Sequence, residues 1–118
     1  MAQKKKTSSV KSISENMKIR CPMQHLLNLL SGTWTTYILW LIKSKGPQRF
    51  GEIKKNIPQI SSKVLTERLR MLEEARILNR LQEETIPPKV TYSLTKQGKQ
   101  LDKILEEINK LAQKWYSA

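Results

Sequence analysis

The chain has 118 residues, with 22 Lys and Arg side chains against 10 Asp and Glu, which gives a formal net charge of +12. This length allows one domain around one hydrophobic core, and the charge indicates a polyanionic partner such as DNA, RNA or an anionic membrane surface. No apolar run could span a membrane, no secretory signal follows the basic start, and the single cysteine excludes an intrachain disulfide framework, so we expect a cytoplasmic protein.

The positive charge is divided between two parts of the chain. Residues 1–20 carry six basic side chains and one acidic one, a net charge of +5, which leaves +7 for residues 21–118. The first part has few large apolar side chains, so we predict a flexible basic tail over residues 1–20 and a folded domain over residues 21–118. The folded part is therefore basic without the tail.

Two helices are predicted first. One begins near Cys21-Pro22, because proline suits the first helical turn, and it closes at Ser31-Gly32. The second covers about 34–44 and is ended by Gly46-Pro47. Its predicted apolar side consists of Trp34, Tyr37, Ile38, Leu41 and Ile42.

A helix-turn-helix pattern follows. We predict a very short strand at Arg49-Phe50, a short helix from Gly51 to Asn56 and a turn at Pro58-Gln59-Ile60. The next helix covers about 62–75 and is capped by Ser61 or Ser62. Its apolar side is Leu65, Leu69 and Leu72, and the opposite side carries Lys63, Thr66, Glu67 and Arg70.

Two strands and a final helix complete the chain. The strands are predicted at Ile77 to Gln82 and at Val90 to Leu94, with a proline-containing loop between them. The final helix covers about 96–116 and is capped by Thr95. It has a strong apolar stripe, which exceeds what a chain this small is expected to bury alone. The stripe, a predicted dimer interface, is Leu101, Ile104, Leu105, Ile108, Leu111, Ala112 and Trp115.

The order of these elements predicts a mainly α fold with a small β-hairpin (α+β), namely a winged helix-turn-helix. In such a domain the second helix of the helix-turn-helix enters the major groove, and neighbouring elements hold the phosphates. Lys and Arg can bind guanine, Thr can contact a thymine methyl, and Glu can accept from cytosine. The predicted DNA-binding residues are Arg49, Lys54, Lys55, Ser61, Ser62, Lys63, Thr66, Glu67, Arg70 and Lys89.

Residues 21–118 resemble the HxlR-type family of bacterial winged helix regulators, which are related in architecture to the MarR group. The family usually has a Gly-Gly-Lys-Trp run, where this chain has Thr33 in place of the lysine. The resemblance implies a homodimer, formed by the first and last helices, that binds an inverted repeat near a promoter. We expect its output to be repression. It rests on the order and spacing of Cys21-Pro22, Gly32-Thr33-Trp34-Thr35, Gly46 to Ile53, Ile60 to Glu73 and Pro87 to Gly98.

Two interpretations of Cys21 stay open. Some members of this family sense oxidants or electrophiles through the cysteine that matches Cys21, and a thiol at a helix N-terminus favours its reactive thiolate form. With one cysteine in the chain, a reversible switch needs an intersubunit disulfide or an adduct with a small thiol. The alternative is that Cys21 is a small residue that fits the start of a helix. An oxidant or small-molecule effector is thus one possibility.

The sequence argues against catalysis and against a cofactor or metal. His25 is the only histidine and has no cysteine cluster beside it, so neither a metal site nor a nucleophile-base pair is predicted. The alternative function is a winged helix that binds RNA or another protein without a specific operator. RNA readers usually present aromatic side chains for base stacking, whereas those of this chain fall mostly on predicted core positions. A membrane-surface role is not expected, because residues 1–18 lack an amphipathic anchor.

Overall fold

The computed structural model describes residues 21–117, so the predicted basic tail over residues 1–20 lies outside the described residues. The first half is helical apart from one two-residue strand. Helix α1 (Pro22–Leu30) starts at the predicted proline, and α2 (Thr35–Lys45) follows after a short loop. Strand β1 (Gln48–Arg49) leads directly into α3 (Phe50–Asn56), and α4 (Ser62–Glu74) comes after a turn.

The second half contains the hairpin and the last helices. Strands β2 (Leu78–Glu83) and β3 (Lys89–Leu94) pair in an antiparallel register that places Leu78 opposite Leu94 and Glu83 opposite Lys89. Strand β1 adds to the other side of β3, which gives an antiparallel sheet in the order β1-β3-β2. This is a mainly helical winged helix fold with a small sheet, as the sequence predicts.

The predicted single helix over 96–116 is wrong. The chain forms α5 (Lys96–Lys99), turns at Gln100 and Leu101, and continues as α6 (Asp102–Tyr116). The turn has the tighter i to i+3 pattern, since the Leu101 amide donates to the Gly98 carbonyl at 3.0 Å. Gly98 is buried against the Ile77 carbonyl, and this contact fixes where α5 lies.

The core joins the helix-turn-helix to the sheet. Ile38 and Leu39 from α2, together with Ile53, are completely buried. The α4 residues predicted to face inward are buried as well. So are Ile77, just before β2, and Leu78, its first residue. The buried apolar residues are Ile38, Leu39, Leu41, Ile42, Ile53, Ile57, Ile60, Leu65, Leu69, Leu72, Ile77, Leu78, Leu101 and Leu105.

Candidate nucleic-acid interface

Helix α4 has one buried side and one exposed side. The Ser61 hydroxyl caps it by accepting from the Val64 amide at 3.1 Å, as predicted, and this satisfies one of the free amides of the first turn. Since Leu65, Leu69 and Leu72 are buried, the helix is fixed in rotation about its axis. The exposed side carries four of the residues predicted to contact base edges, Lys63, Thr66, Glu67 and Arg70, and we call it the reading side. Ser62, next to the cap, is exposed too.

The short helix α3 and the following turn hold α4 in place. The Arg49 amide donates to the Glu52 carboxylate at 2.8 Å, which closes the first turn of α3. The Lys54 ammonium donates to the Ile60 carbonyl at 2.9 Å and is half-buried, so it supports the turn from within the protein. Arg49 and Lys55 are exposed, and they remain the candidates for phosphate contacts beside α4.

The wing is the loop between β2 and β3. Its backbone is ordered by the Thr85 hydroxyl, which donates to the Pro87 carbonyl at 2.8 Å. Lys89 is exposed at the start of β3, directly opposite Glu83, and Ile86 at the tip is fully exposed. The acidic neighbours make the wing less basic than Lys89 alone suggested, so a phosphate contact here would depend on one cation.

Arg68 holds α4 in place through a contact that the sequence did not predict. It lies on the flank of α4, half-buried, and its Nε donates to the Thr33 carbonyl at 3.0 Å. This bond ties α4 to the loop between α1 and α2, where Gly32 leaves room for the guanidinium. The sequence showed only that this arginine lies between the apolar side and the polar side of the helix. That position does not identify the group to which it binds.

We therefore expect Arg68 to contribute more to stability than Arg70 does. We expect Arg68→Leu to lower the free energy of unfolding by about 1 kcal/mol, because the bond to Thr33 is lost. Arg70→Leu should change it by less than about 0.5 kcal/mol, since Arg70 is exposed. Urea unfolding of both variants measures these two changes in the free energy of unfolding. If Arg70→Leu were the more destabilising variant, the division of roles between the two arginines would be wrong.

The ends of the described chain leave apolar side chains exposed. Two residues of the stripe predicted as a dimer interface, Leu101 and Leu105, are instead part of the core of the chain, at 8% and 7% exposed, and Ala112 is half-buried. Helix α1 has no buried residue. The exposed apolar side chains of the two helices are Met23, Leu26 and Leu27 on α1 and Ile104, Ile108, Leu111, Trp115 and Tyr116 on α6.

An ion pair joins α6 to α2. The Lys43 ammonium lies 3.0 Å from a Glu106 carboxylate oxygen and 5.2 Å from the centre of the Trp40 ring. The lysine side chain is only 20% exposed, so this pair is better ordered than an ordinary surface pair. The direction of α6, and with it the exposed apolar side, is thus set relative to α2.

Cys21 lies immediately before α1. It is exposed and unpaired, Pro22 occupies the first helical position, and the Cys21 carbonyl accepts from the His25 amide at 3.0 Å. The thiol is accessible to a reagent, which both interpretations of this residue allow.

The fold and the exposed side of α4 define a winged helix-turn-helix protein. The chain belongs to the HxlR-like helix-turn-helix family, whose sequence profile matches residues 29–118. An uncharacterized HTH-type transcriptional regulator of Synechocystis is 40% identical over 95 residues, which cover 80% of this chain and 70% of the relative. The putative regulatory protein MalR of Fusobacterium mortiferum is 33% identical over 81% of this chain and 91% of its own length.

Solved structures agree with this assignment. The redox regulator HypR in its oxidized form superposes with a TM-score of 0.76 at 31% identity, over 83% of this chain and all of that chain. The reduced form of the transcriptional regulator YodB from B. subtilis gives a TM-score of 0.70 at 36% identity, over 84% of this chain and 97% of that chain. These relatives carry the names of regulators, not of enzymes. Within residues 21–117, no helix is both long and apolar enough to cross a membrane.

Proposed function

We propose that this chain is a transcriptional repressor that binds an inverted repeat in duplex DNA as a homodimer and has no catalytic activity. We place its action in the cytoplasm. The observation that carries the proposal is the exposed polar side of α4, on a helix whose other side is fixed by three buried leucines. A helix with one fixed and one free side suits direct contact with base edges in the major groove.

Two further features support duplex binding. The domain is basic, with a net charge of +7 over residues 21–118, and neutralising phosphates releases counterions. The exposed apolar sides of α1 and α6 fit a second copy of the chain, since a two-fold dimer presents the same surface from both partners. Such a dimer would present two reading helices roughly 34–36 Å apart, one turn of DNA.

Selection of duplexes from a random pool tests the proposal. We expect an enriched inverted repeat, bound by one dimer, with an affinity at least about a thousandfold above that for random duplex. Both affinities should fall steeply with salt, and the preference should persist. If no sequence were enriched and all binding vanished at moderate salt, an interaction module or an RNA-binding module would replace the regulator.

A response to oxidants through Cys21 is a second part of the proposal. Its support is the exposed thiol and the similarity to YodB, which has been solved as a diamide-treated and as a quinone-bound protein. Diamide accepts two electrons and two protons while two thiols join in one disulfide. In this chain the two thiols are those of Cys21 in each protomer, or Cys21 and a small thiol.

Cys21→Ser measures that response. We expect diamide to lower the operator affinity of the parent chain about tenfold or more, through a shift between two arrangements of the dimer. The serine variant should keep full affinity before and after treatment. If the variant responded to diamide as the parent does, Cys21 would be a residue that only fits the start of α1.

A further inference from the structure

Glu67 is an unusual residue for the position it occupies. It is exposed on the reading side of α4, between Lys63 one turn before it and Arg70 one turn after it. The ion pairs within residues 21–117 join Lys43 to Glu106 and Lys110 to Glu107, so in this part of the chain no cation lies within 4 Å of the Glu67 carboxylate. Among residues 21–117 its oxygens thus have no charged partner, and they can accept hydrogen bonds from a ligand.

A carboxylate in the major groove is unfavourable unless it meets a donor. Phosphates surround it, and the guanine edge offers only the acceptors O6 and N7, which repel it. Cytosine offers its N4 amino group, from which a carboxylate accepts well. Adenine has a donor beside an acceptor, which suits an amide better than a carboxylate.

Thr66, the preceding residue, presents a different group. Its hydroxyl donates to the Ser62 carbonyl at 2.8 Å, one turn back along α4. The hydroxyl oxygen can then only accept, and the γ-methyl group of this exposed side chain is available for apolar contact with a base. A methyl group packs against the 5-methyl group of thymine, which the other three bases lack.

We infer that α4 selects a cytosine through the Glu67 carboxylate and a thymine through the Thr66 methyl group, within the same half-site. This inference rests on the proposed function and specifies which bases the same surface selects.

Glu67→Gln tests the cytosine contact by a change of preference. Glutamine pairs with adenine through N6 and N7, so duplex selection with this variant should enrich adenine where the parent chain enriches cytosine. On single duplexes that differ at this base pair, the ratio of affinities should shift by roughly five- to a hundredfold. Glu67→Ala is the matched control, which should lose the cytosine preference without acquiring another.

Two substitutions of Thr66 separate its methyl group from its hydroxyl. Thr66→Val keeps a methyl group and should keep the thymine preference, whereas Thr66→Ser keeps the hydroxyl and should lose it. Thermal unfolding of all four variants should match the parent chain, because both positions are exposed.

The outcomes distinguish this inference from the function on which it rests. If the parent chain enriched an operator and both Glu67 variants enriched the same bases, the cytosine contact would be wrong and the regulator would stand. Loss of the thymine preference in Thr66→Val would overturn the methyl contact. A parent chain that enriched no sequence would overturn the regulator itself, and the inference with it.

Discussion

Ile108→Asp should convert the proposed dimer into a monomer and lower the affinity for the proposed operator by at least about a hundredfold, because simultaneous binding to two half-sites is lost. Ile108 is 55% exposed in the protomer and lies in the middle of the exposed apolar side of α6, between Ile104 and Leu111. A carboxylate there would be buried without a partner in the dimer, whereas the monomer leaves it in water. Sedimentation and duplex titration measure the two effects.

The choice of position and control makes this test specific. Leu105 lies on the same predicted stripe, yet it is 7% exposed in the protomer, so aspartate there would unfold the chain. Gln113→Asp is the matched control, since it introduces the same charge on the opposite, polar side of α6. An Ile108→Asp chain that remained dimeric with full operator affinity would contradict the proposed interface.

Gly98→Ala should lower the free energy of unfolding by about 3 kcal/mol or more. A Cβ atom at Gly98 would overlap the Ile77 carbonyl oxygen and would lie only 3.2 Å from the carbonyl carbon. That oxygen already accepts from the Thr95 amide at 3.0 Å, so neither backbone segment can move away freely. Urea unfolding measures the loss, and we expect the melting temperature to fall by about 10 °C or more.

Gly51→Ala is the opposite case in the same chain. A Cβ atom at Gly51 would meet nothing within 4 Å, and the residue is helical, in α3. We expect an increase in the free energy of unfolding of about 0.5 kcal/mol, because alanine loses less backbone entropy in a helix. If the two substitutions had equal effects, the close approach of Gly98 to Ile77 would not be what positions α5.

Local patterns in the sequence were sufficient to predict α4, its cap and which of its sides is exposed. The spacing of its leucines and the Ser61 cap lie within one helix, and both act over one or two turns. The Thr95 cap was predicted for the same reason, and its hydroxyl accepts from the Gly98 amide at 2.8 Å. The order of the helices and strands, together with the net positive charge, then indicated a nucleic acid as the partner.

Features that depend on distant parts of the chain could not be predicted in this way. The apolar spacing runs through Leu101 without interruption, so it gave no sign of the turn that the contact between Gly98 and Ile77 imposes. Arg68 looked like any flanking arginine, because its partner Thr33 is 35 residues away. Likewise, the half-buried position of Lys54 depends on the turn that folds back toward it.

A footprint on the enriched duplex tests the central claim most directly, namely that two copies of α4 occupy successive major grooves. We predict two protected major-groove segments with centres about 10 base pairs apart, related by two-fold symmetry. Arg70→Leu should weaken both segments equally, since each protomer presents the same exposed arginine. A single protected segment, or uniform protection along the duplex, would contradict the account.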